Sequence, residues 1–209
     1  ALLLLLAFVF NTSVFAASAD EVIRPIQEQW AEIKYHQPEN KQADLYRELA
    51  VKTRKLAESN PYLAEVLIWE GIVVSSEAGV RGGLGGLSLA KEARQLLEES
   101  LKLNEGALNG SAYTSLATLY AKVPMWPIGF GDKKKAEELF KKSLSINPTG
   151  IDPNFFYGEY LVDQDRTTEG RAYLEAALKA PPRPGRELAD KGRRQEIQAL
   201  LNKIAKDAK

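Results

Sequence analysis

Cysteine is absent from the 209-residue chain, histidine and methionine occur once each, and 28 Lys and Arg residues cancel 28 Asp and Glu. Each shortage excludes something. Without cysteine there is no disulfide framework, thiolate zinc site, iron–sulfur ligation or cysteine nucleophile, and within these residues there is no thiol to acylate as in a lipoprotein. With His36 as the sole imidazole, a catalytic triad or a multi-histidine metal site would rest on one residue. The zero net charge removes the basic surplus that marks a nucleic-acid binder. Strand signals are also missing, because alternating apolar and polar stretches rich in Val, Ile and Thr do not occur. What is present is ordinary for a globular chain: 44% hydrophobic and 27% charged residues exclude disordered and collagen-like readings. The length suits one sizeable domain or two small ones.

Residues 1–10 read ALLLLLAFVF, and residues 14–19 read VFAASA. An apolar run of this length followed by small residues is the secretory pattern, and it is short for a spanning helix. The expectation is a signal peptide over residues 1–19, with its methionine and charged start lying upstream of Ala1, cleaved after Ala16 or Ala19. A single mature domain over 20–209 would then work in the periplasm. Membrane contact is expected only if the signal stays uncleaved and acts as an anchor.

Beyond Asp20 the apolar residues follow a helical period, and Gly, Pro and Asn cluster between segments. This predicts helices near residues 20–36, 40–59, 61–79, 84–104, 110–122, 132–146, 153–164, 167–179 and 186–206. Asp132 can cap the segment it opens, and Asn147-Pro148 stops it, because proline cannot continue a helix. Asp152-Pro153 opens the next helix, with proline where no amide donor is needed.

A pattern recurs within these helices. Ala136, Phe140, Ser143 and Pro148 stand 4, 3 and 5 residues apart, and Gly170, Leu174, Ala177 and Pro182 repeat those spacings 34 residues later. Ala93, Leu97, Ser100 and Glu105 show them again 43 residues earlier. Small, large apolar, small, then a stop describes a helix that packs closely on two neighbours. A partner helix precedes each one, marked by Gly71 and Val74, by Leu116-Ala117 and Tyr120, and by Tyr157-Gly158 and Leu161.

These positions resemble the tetratricopeptide repeat over residues 61–182, without a gap in the last unit and with insertions in the other two. The resemblance implies an all-α, tetratricopeptide-like helical-hairpin solenoid with three recognisable repeats plus flanking helices. Residues 186–206 would form a C-terminal cap, with Leu188, Ile197, Leu200, Leu201 and Ile204 on its apolar side. The layout over 110–182, with Trp126-Pro127 and Phe130 between paired helices, also resembles the T-component proteins of TRAP transporters. It resembles, more distantly, the regulator of microtubule dynamics proteins. Those resemblances imply a periplasmic partner that binds small organic acids, or a hydrophobic ligand carried by the repeats. The chain departs from the T-component lipoproteins in having no cysteine.

Two inserts carry the candidate binding residues. The first, residues 79–88, is glycine-rich and lacks the lysine that a nucleotide-binding loop places directly after its last glycine; Lys91 comes five residues after Gly86. Its expected role is a tight helix contact and a turn, or the rim of a ligand site with Arg81 as an anion contact. The second, residues 123–131, carries Met125, Trp126, Ile128 and Phe130 between two prolines. Trp126 and Phe130 are expected either to fill the space between repeats or to line a pocket on the concave face. The resemblance places Tyr113, Tyr120, Tyr157 and Tyr160 on first helices, which line that face in this repeat type. Tyr120 and Tyr157 also stand at repeat positions where packing explains them.

Catalytic chemistry finds little support. His36 closes a helix, where imidazoles interact with the helix end or with solvent. The adjacent pairs Glu98-Glu99 and Glu137-Glu138 point about 100° apart on a helix and do not converge. Asp163, Asp165 and Glu169 lack the glycine and closing glutamate of a calcium loop. The expected function is therefore non-enzymatic, with no cofactor and no metal: an exported scaffold that binds a protein partner. The alternative is a small-ligand-binding accessory protein of a TRAP-type transporter.

Overall fold

The computed structural model describes residues 18–207 and is all-helical, apart from turns and one isolated bridge. The signal peptide expected over 1–19 lies almost wholly outside the described residues. The helices are α1 (Ala19–His36), α2 (Glu39–Ser59), α3 (Ala64–Arg81), α4 (Gly83–Leu103), α5 (Ser111–Lys122), α6 (Lys133–Ile146), α7 (Ile151–Asp163), α8 (Thr167–Leu178) and α9 (Glu187–Asp207). A short 3-10 turn, Ala107–Gly110, precedes α5. Ser18 caps α1 reciprocally with Glu21, and Asp132 accepts the Lys135 amide at the start of α6. Among the described residues no helix is long and apolar enough to cross a membrane.

Three hairpins, α3–α4, α5–α6 and α7–α8, are each packed together along their length. Their first helices also touch in succession, α3 to α5 and α5 to α7. The recurring small–large–small positions supply the contact surfaces. Ala93, Leu97 and Ser100, then Ala136, Phe140 and Ser143, then Gly170, Leu174 and Ala177 are all buried. The facing helix is small at the equivalent place. A Cβ on Gly71 would meet Leu97 Cγ at 2.7 Å, and one on Gly158 would meet Leu174 Cγ at 3.0 Å. Ala117 holds that place in the middle hairpin and is fully buried. In each hairpin a leucine or phenylalanine therefore presses against a helix backbone from which bulk has been removed.

The glycine-rich stretch at 79–88 is not a long loop. α3 runs on to Arg81, Gly82 breaks the chain with φ +64°, and α4 begins at Gly83. An L side chain rarely adopts that φ, so glycine is needed at the corner. Gly86 then seats α4 on the Ala78 carbonyl, where a Cβ would stand 2.6 Å from the oxygen.

α9 is more than a cap. It packs on α8 and α7 and also reaches α1, so the first and last helices of the described chain touch. The Tyr35 ring lies against the backbone of Gly192, where any side chain would overlap it. The Tyr35 hydroxyl donates to Glu196 at 3.2 Å, and Lys34 pairs with the same carboxylate at 3.4 Å. Ile197 and Ile204 are buried with Ile151, Phe155 and Leu174 in a second apolar cluster. Leu188, Leu200 and Leu201 are half-buried.

The charges beside this cluster are buried or half-buried. Arg193, 7% exposed, stacks on Phe155 and Phe156 at 4.5 Å from each ring centre. It donates to Asp152 at 2.9 Å and to Glu196 at 2.6 Å. Burial alone would raise the Asp152 carboxyl, but the Arg193 and Arg183 guanidiniums outweigh it and hold the group well below the usual carboxylate range.

Candidate functional site

The chain leaves α5 at Val123 and turns back through a compact loop before α6. Gly131 donates its amide to the Pro124 carbonyl at 2.9 Å, and Met125 bridges to Gly131. The Ile128 and Gly129 amides both donate to the Met125 carbonyl at 3.2 Å. The Asp132 amide donates to the Tyr120 carbonyl at 2.9 Å, which ties the loop's exit to α5. The Trp126–Pro127 peptide is cis. Glycine is required at both returns: a Cβ on Gly129 would stand 2.5 Å from the Pro124 carbonyl oxygen, and one on Gly131 would overlap the Val123 carbonyl. The loop is held by its own backbone.

Its side chains divide. Phe130 turns inward, edge-on to Tyr120 with ring centres 5.4 Å apart, and the Arg94 guanidinium covers it at 4.5 Å. Val123 and Leu87 close around Gly129. Phe130 therefore packs, half-buried, between α4 and α5. Trp126 does the opposite and is 86% exposed, with Met125 and Ile128 exposed beside it. Leu84, one helical turn before the Leu87 that Gly129 approaches, is 85% exposed. Four large apolar side chains thus stand in solvent on the edge where α4 begins and the loop projects.

Lys133, Lys134 and Lys135 follow at once, in the first turn of α6. All three side chains are exposed, and among the described residues none of them forms an ion pair with an acid. That turn contains no acidic residue. Helix N-termini favour negative charge, so three cations there oppose the helix dipole. The base of the edge is firm. Lys122 pairs with Asp163 at 2.7 Å and with Glu159 at 3.3 Å, and the Tyr160 hydroxyl donates to the Lys133 carbonyl at 2.9 Å.

The remaining expected site residues lie in several places. Arg81 is on the same edge, but it donates to Glu77 at 2.6 Å and so balances a buried carboxylate. Tyr113 is half-buried near the opposite end of α5, with its hydroxyl on Glu105 at 2.9 Å and Lys142 over its ring. Seven residues of helix, about 10 Å, separate it from Tyr120. Tyr157 and Tyr160 are buried and stacked, with Phe140 tilted against both and Tyr173 edge-on to Tyr157. The Tyr157 hydroxyl donates to Glu137 at 3.1 Å. Hydrogen bonds from Lys141 and Arg166 pull that carboxyl down to about 2.

The structure therefore joins Tyr120 with Phe130 and groups Tyr157 with Tyr160, and it leaves Trp126 free at the surface. Among the described residues no group of three or more His, Asp or Glu side chains is placed to hold a metal ion. Sequence reasoning did not single out Leu84 or the three lysines. Their signal was available in the unbroken basic run at a helix start, where acids are the rule. Comparison with protein-family models and with curated proteins finds no match for this chain.

Proposed function

We propose that the chain is a non-enzymatic, tetratricopeptide-like scaffold, exported to the periplasm, that binds a protein partner through the edge carrying the Trp126 loop. The three hairpins with the same small and large residues at their contacts support the repeat reading. The apolar run at residues 1–10 with small residues after it supports export. The observation that carries partner binding is the exposure of Leu84, Met125, Trp126 and Ile128 together on a backbone-braced edge. Scattered apolar residues at a surface are ordinary, but a group of four large ones that includes a tryptophan marks an interaction site. Phe130, Tyr120 and Arg94 support the loop from beneath.

A photo-crosslinking residue in place of Trp126, expressed in the native cell, tests the reading. Tyr62, 88% exposed in the α2–α3 turn, is the control position. The expected result is one protein adduct of defined mass from position 126, absent from position 62 and lost when Met125→Ser and Ile128→Ser are added. No adduct, or the same adducts at both positions, refutes it.

A further inference from the structure

The edge that carries the Trp126 loop is charged as well as apolar, and its charge is not balanced within the fold. Other cations around it are matched by acids of the chain. Arg81 pairs with Glu77 at 2.6 Å, Lys122 with Asp163 at 2.7 Å, and Arg166 with Glu137 at 2.9 Å and Glu169 at 2.7 Å. Lys133, Lys134 and Lys135 are exposed and form no ion pair among the described residues. The acids nearest in the chain do not serve them. Asp132 turns its Oδ1 to the Lys135 amide at 3.0 Å, and Glu137 is taken up by Lys141, Arg166 and Tyr157. Glu138 is exposed and pairs with no cation among the described residues. Lys91 shares the α4 face of Leu87 and Arg94, one turn from each, and is a further exposed cation without an ion pair among the described residues. Like charges on one turn repel, and at a helix start cations also oppose the dipole.

The lysines and the apolar side chains are held in fixed register. Met125 bridges to Gly131, and Lys133 follows two residues later, within about 7 Å of backbone. The Asp132 amide on the Tyr120 carbonyl and the Tyr160 hydroxyl on the Lys133 carbonyl, both at 2.9 Å, secure the turn between them. A partner therefore meets a surface that is already ordered. Leu84, Met125, Trp126 and Ile128, each more than half exposed, present on the order of 500 Å² of apolar surface. That is less than the roughly 800 Å² that each partner buries in a standard interface between folded proteins, and it fits a short segment. A purely apolar segment would cover Trp126 and leave the lysines unmatched. A purely acidic one would match the lysines and leave the apolar side chains in water.

We infer that the segment seated on this edge is acidic and amphipathic: its apolar side chains cover Leu84, Met125, Trp126 and Ile128, and its Asp or Glu carboxylates accept from Lys133, Lys134 and Lys135. This rests on the scaffold reading, because it names the chemistry of the protein that the edge binds. Lysine offers a point charge on a flexible stem, so the row selects for a pattern of negative charge and not for one fixed carboxylate geometry.

The test maps the adduct formed in the native cell by the photo-crosslinking residue at position 126. Mass-spectrometric sequencing of the crosslinked peptide is expected to give a segment of net negative charge, with Asp or Glu flanking apolar residues. That segment, made as a synthetic peptide, is titrated against the full chain by fluorescence anisotropy. Combining Lys133→Glu, Lys134→Glu and Lys135→Glu is expected to weaken binding about tenfold, since three exposed pairs are each worth little but act together. Arginine at the same three positions keeps the charge and is expected to change binding by no more than about threefold. Acids suit a helix start, so the Glu variant is expected to melt at or above the parent's temperature. Changing the peptide's own Asp and Glu to Asn and Gln is expected to weaken binding to the parent chain about tenfold, which no folding defect can imitate. A mapped segment that is neutral or basic, or equal binding of the acidic and amide peptides, overturns this inference and leaves the scaffold reading standing. No protein adduct overturns both. So does a phospholipid adduct in its place, because lysines beside a tryptophan and aliphatic side chains also suit an anionic bilayer.

Discussion

Replacing Asp152 by Asn tests whether the buried charges at the α7–α9 junction hold the two ends of the fold together. The carboxylate accepts from Arg183 at 2.7 Å and from Arg193 at 2.9 Å. Removing one partner of a buried ion pair costs about 3–5 kcal/mol when the other is left uncompensated. Here each arginine keeps a second acid: Arg193 keeps Glu196 at 2.6 Å, and Arg183 keeps Asp190 at 2.6 Å. The Asp152 and Arg183 side chains are also partly open to water, which screens their pair. The expected loss is therefore about 2 kcal/mol near pH 7. With a urea slope of roughly 2 kcal/mol/M, the unfolding midpoint falls by about 1 M at unchanged slope. The sign of the pH dependence follows from the lowered carboxyl. Its contribution is fully present above the unfolded value, about 3.9. It is lost as pH falls through the lower folded value. The gap between parent and variant should thus be constant from neutral pH to about 5 and narrow below about 4. A loss under about 0.5 kcal/mol, the range of an ordinary surface change, or a gap that widens towards acid, refutes the reasoning.

Other substitutions separate packing from surface. Gly158→Ala brings a Cβ within 2.9 Å of the Gly170 carbonyl oxygen and is expected to destabilise by about 1–3 kcal/mol. Gly79→Ala, in open space within α3, is expected to stabilise by about 0.5–1 kcal/mol, and urea melts of the two variants should move in opposite directions. Trp126→Ala is expected to leave stability within about 0.5 kcal/mol and the helical dichroism unchanged. Phe130→Ala, by emptying the space under Arg94, is expected to lose about 2 kcal/mol. If Trp126→Ala unfolds the chain instead, the residue is packing and not contact. Lys134→Glu is expected to stabilise α6 by about 0.3–1 kcal/mol, because it matches the helix dipole, and to weaken the crosslink from position 126. A thermal melt and the crosslinking yield check the two halves.

The helices were legible because their causes are local. Caps at Asp132 and stops at Asn147-Pro148 act within one turn, and the observed boundaries lie within three residues of those read from the pattern. The hairpin contacts were legible for a related reason. Gly71 against Leu97, and Gly158 against Leu174, obey a rule of residue size that recurs along the chain. The Trp126 loop was half legible. Its content showed that something must cover it, but not that Phe130 would turn inward and Trp126 outward, since that depends on how the Gly129 and Gly131 amides close the backbone. The α9 junction was illegible because its partners are distant. Arg193 meets Asp152 41 residues away, and the Tyr35 hydroxyl meets Glu196 161 residues away. In one dimension Arg193 and Glu196 read as the polar side of a capping helix, and Asp152 as the opening of α7.

One signal there went unused, and it bears on what α9 is for. Gly192 stands inside a helix, where glycine costs about 1 kcal/mol relative to alanine. Such a residue needs a compensating close approach, and the Tyr35 ring lying on its backbone is that approach. The same contact places Arg193 under Phe155 and Phe156 and fixes the start of α9 against α1. Arg186 lies just before that start, so its place over Trp69 follows from the seating of α9 and not from any acid of its own. A helix needed only as a polar cap would require neither the glycine nor the unpaired arginine. Both are accounted for if α9 serves to join the ends of the fold, with Gly192 admitting the Tyr35 ring and Arg186 packing on Trp69 at the seam.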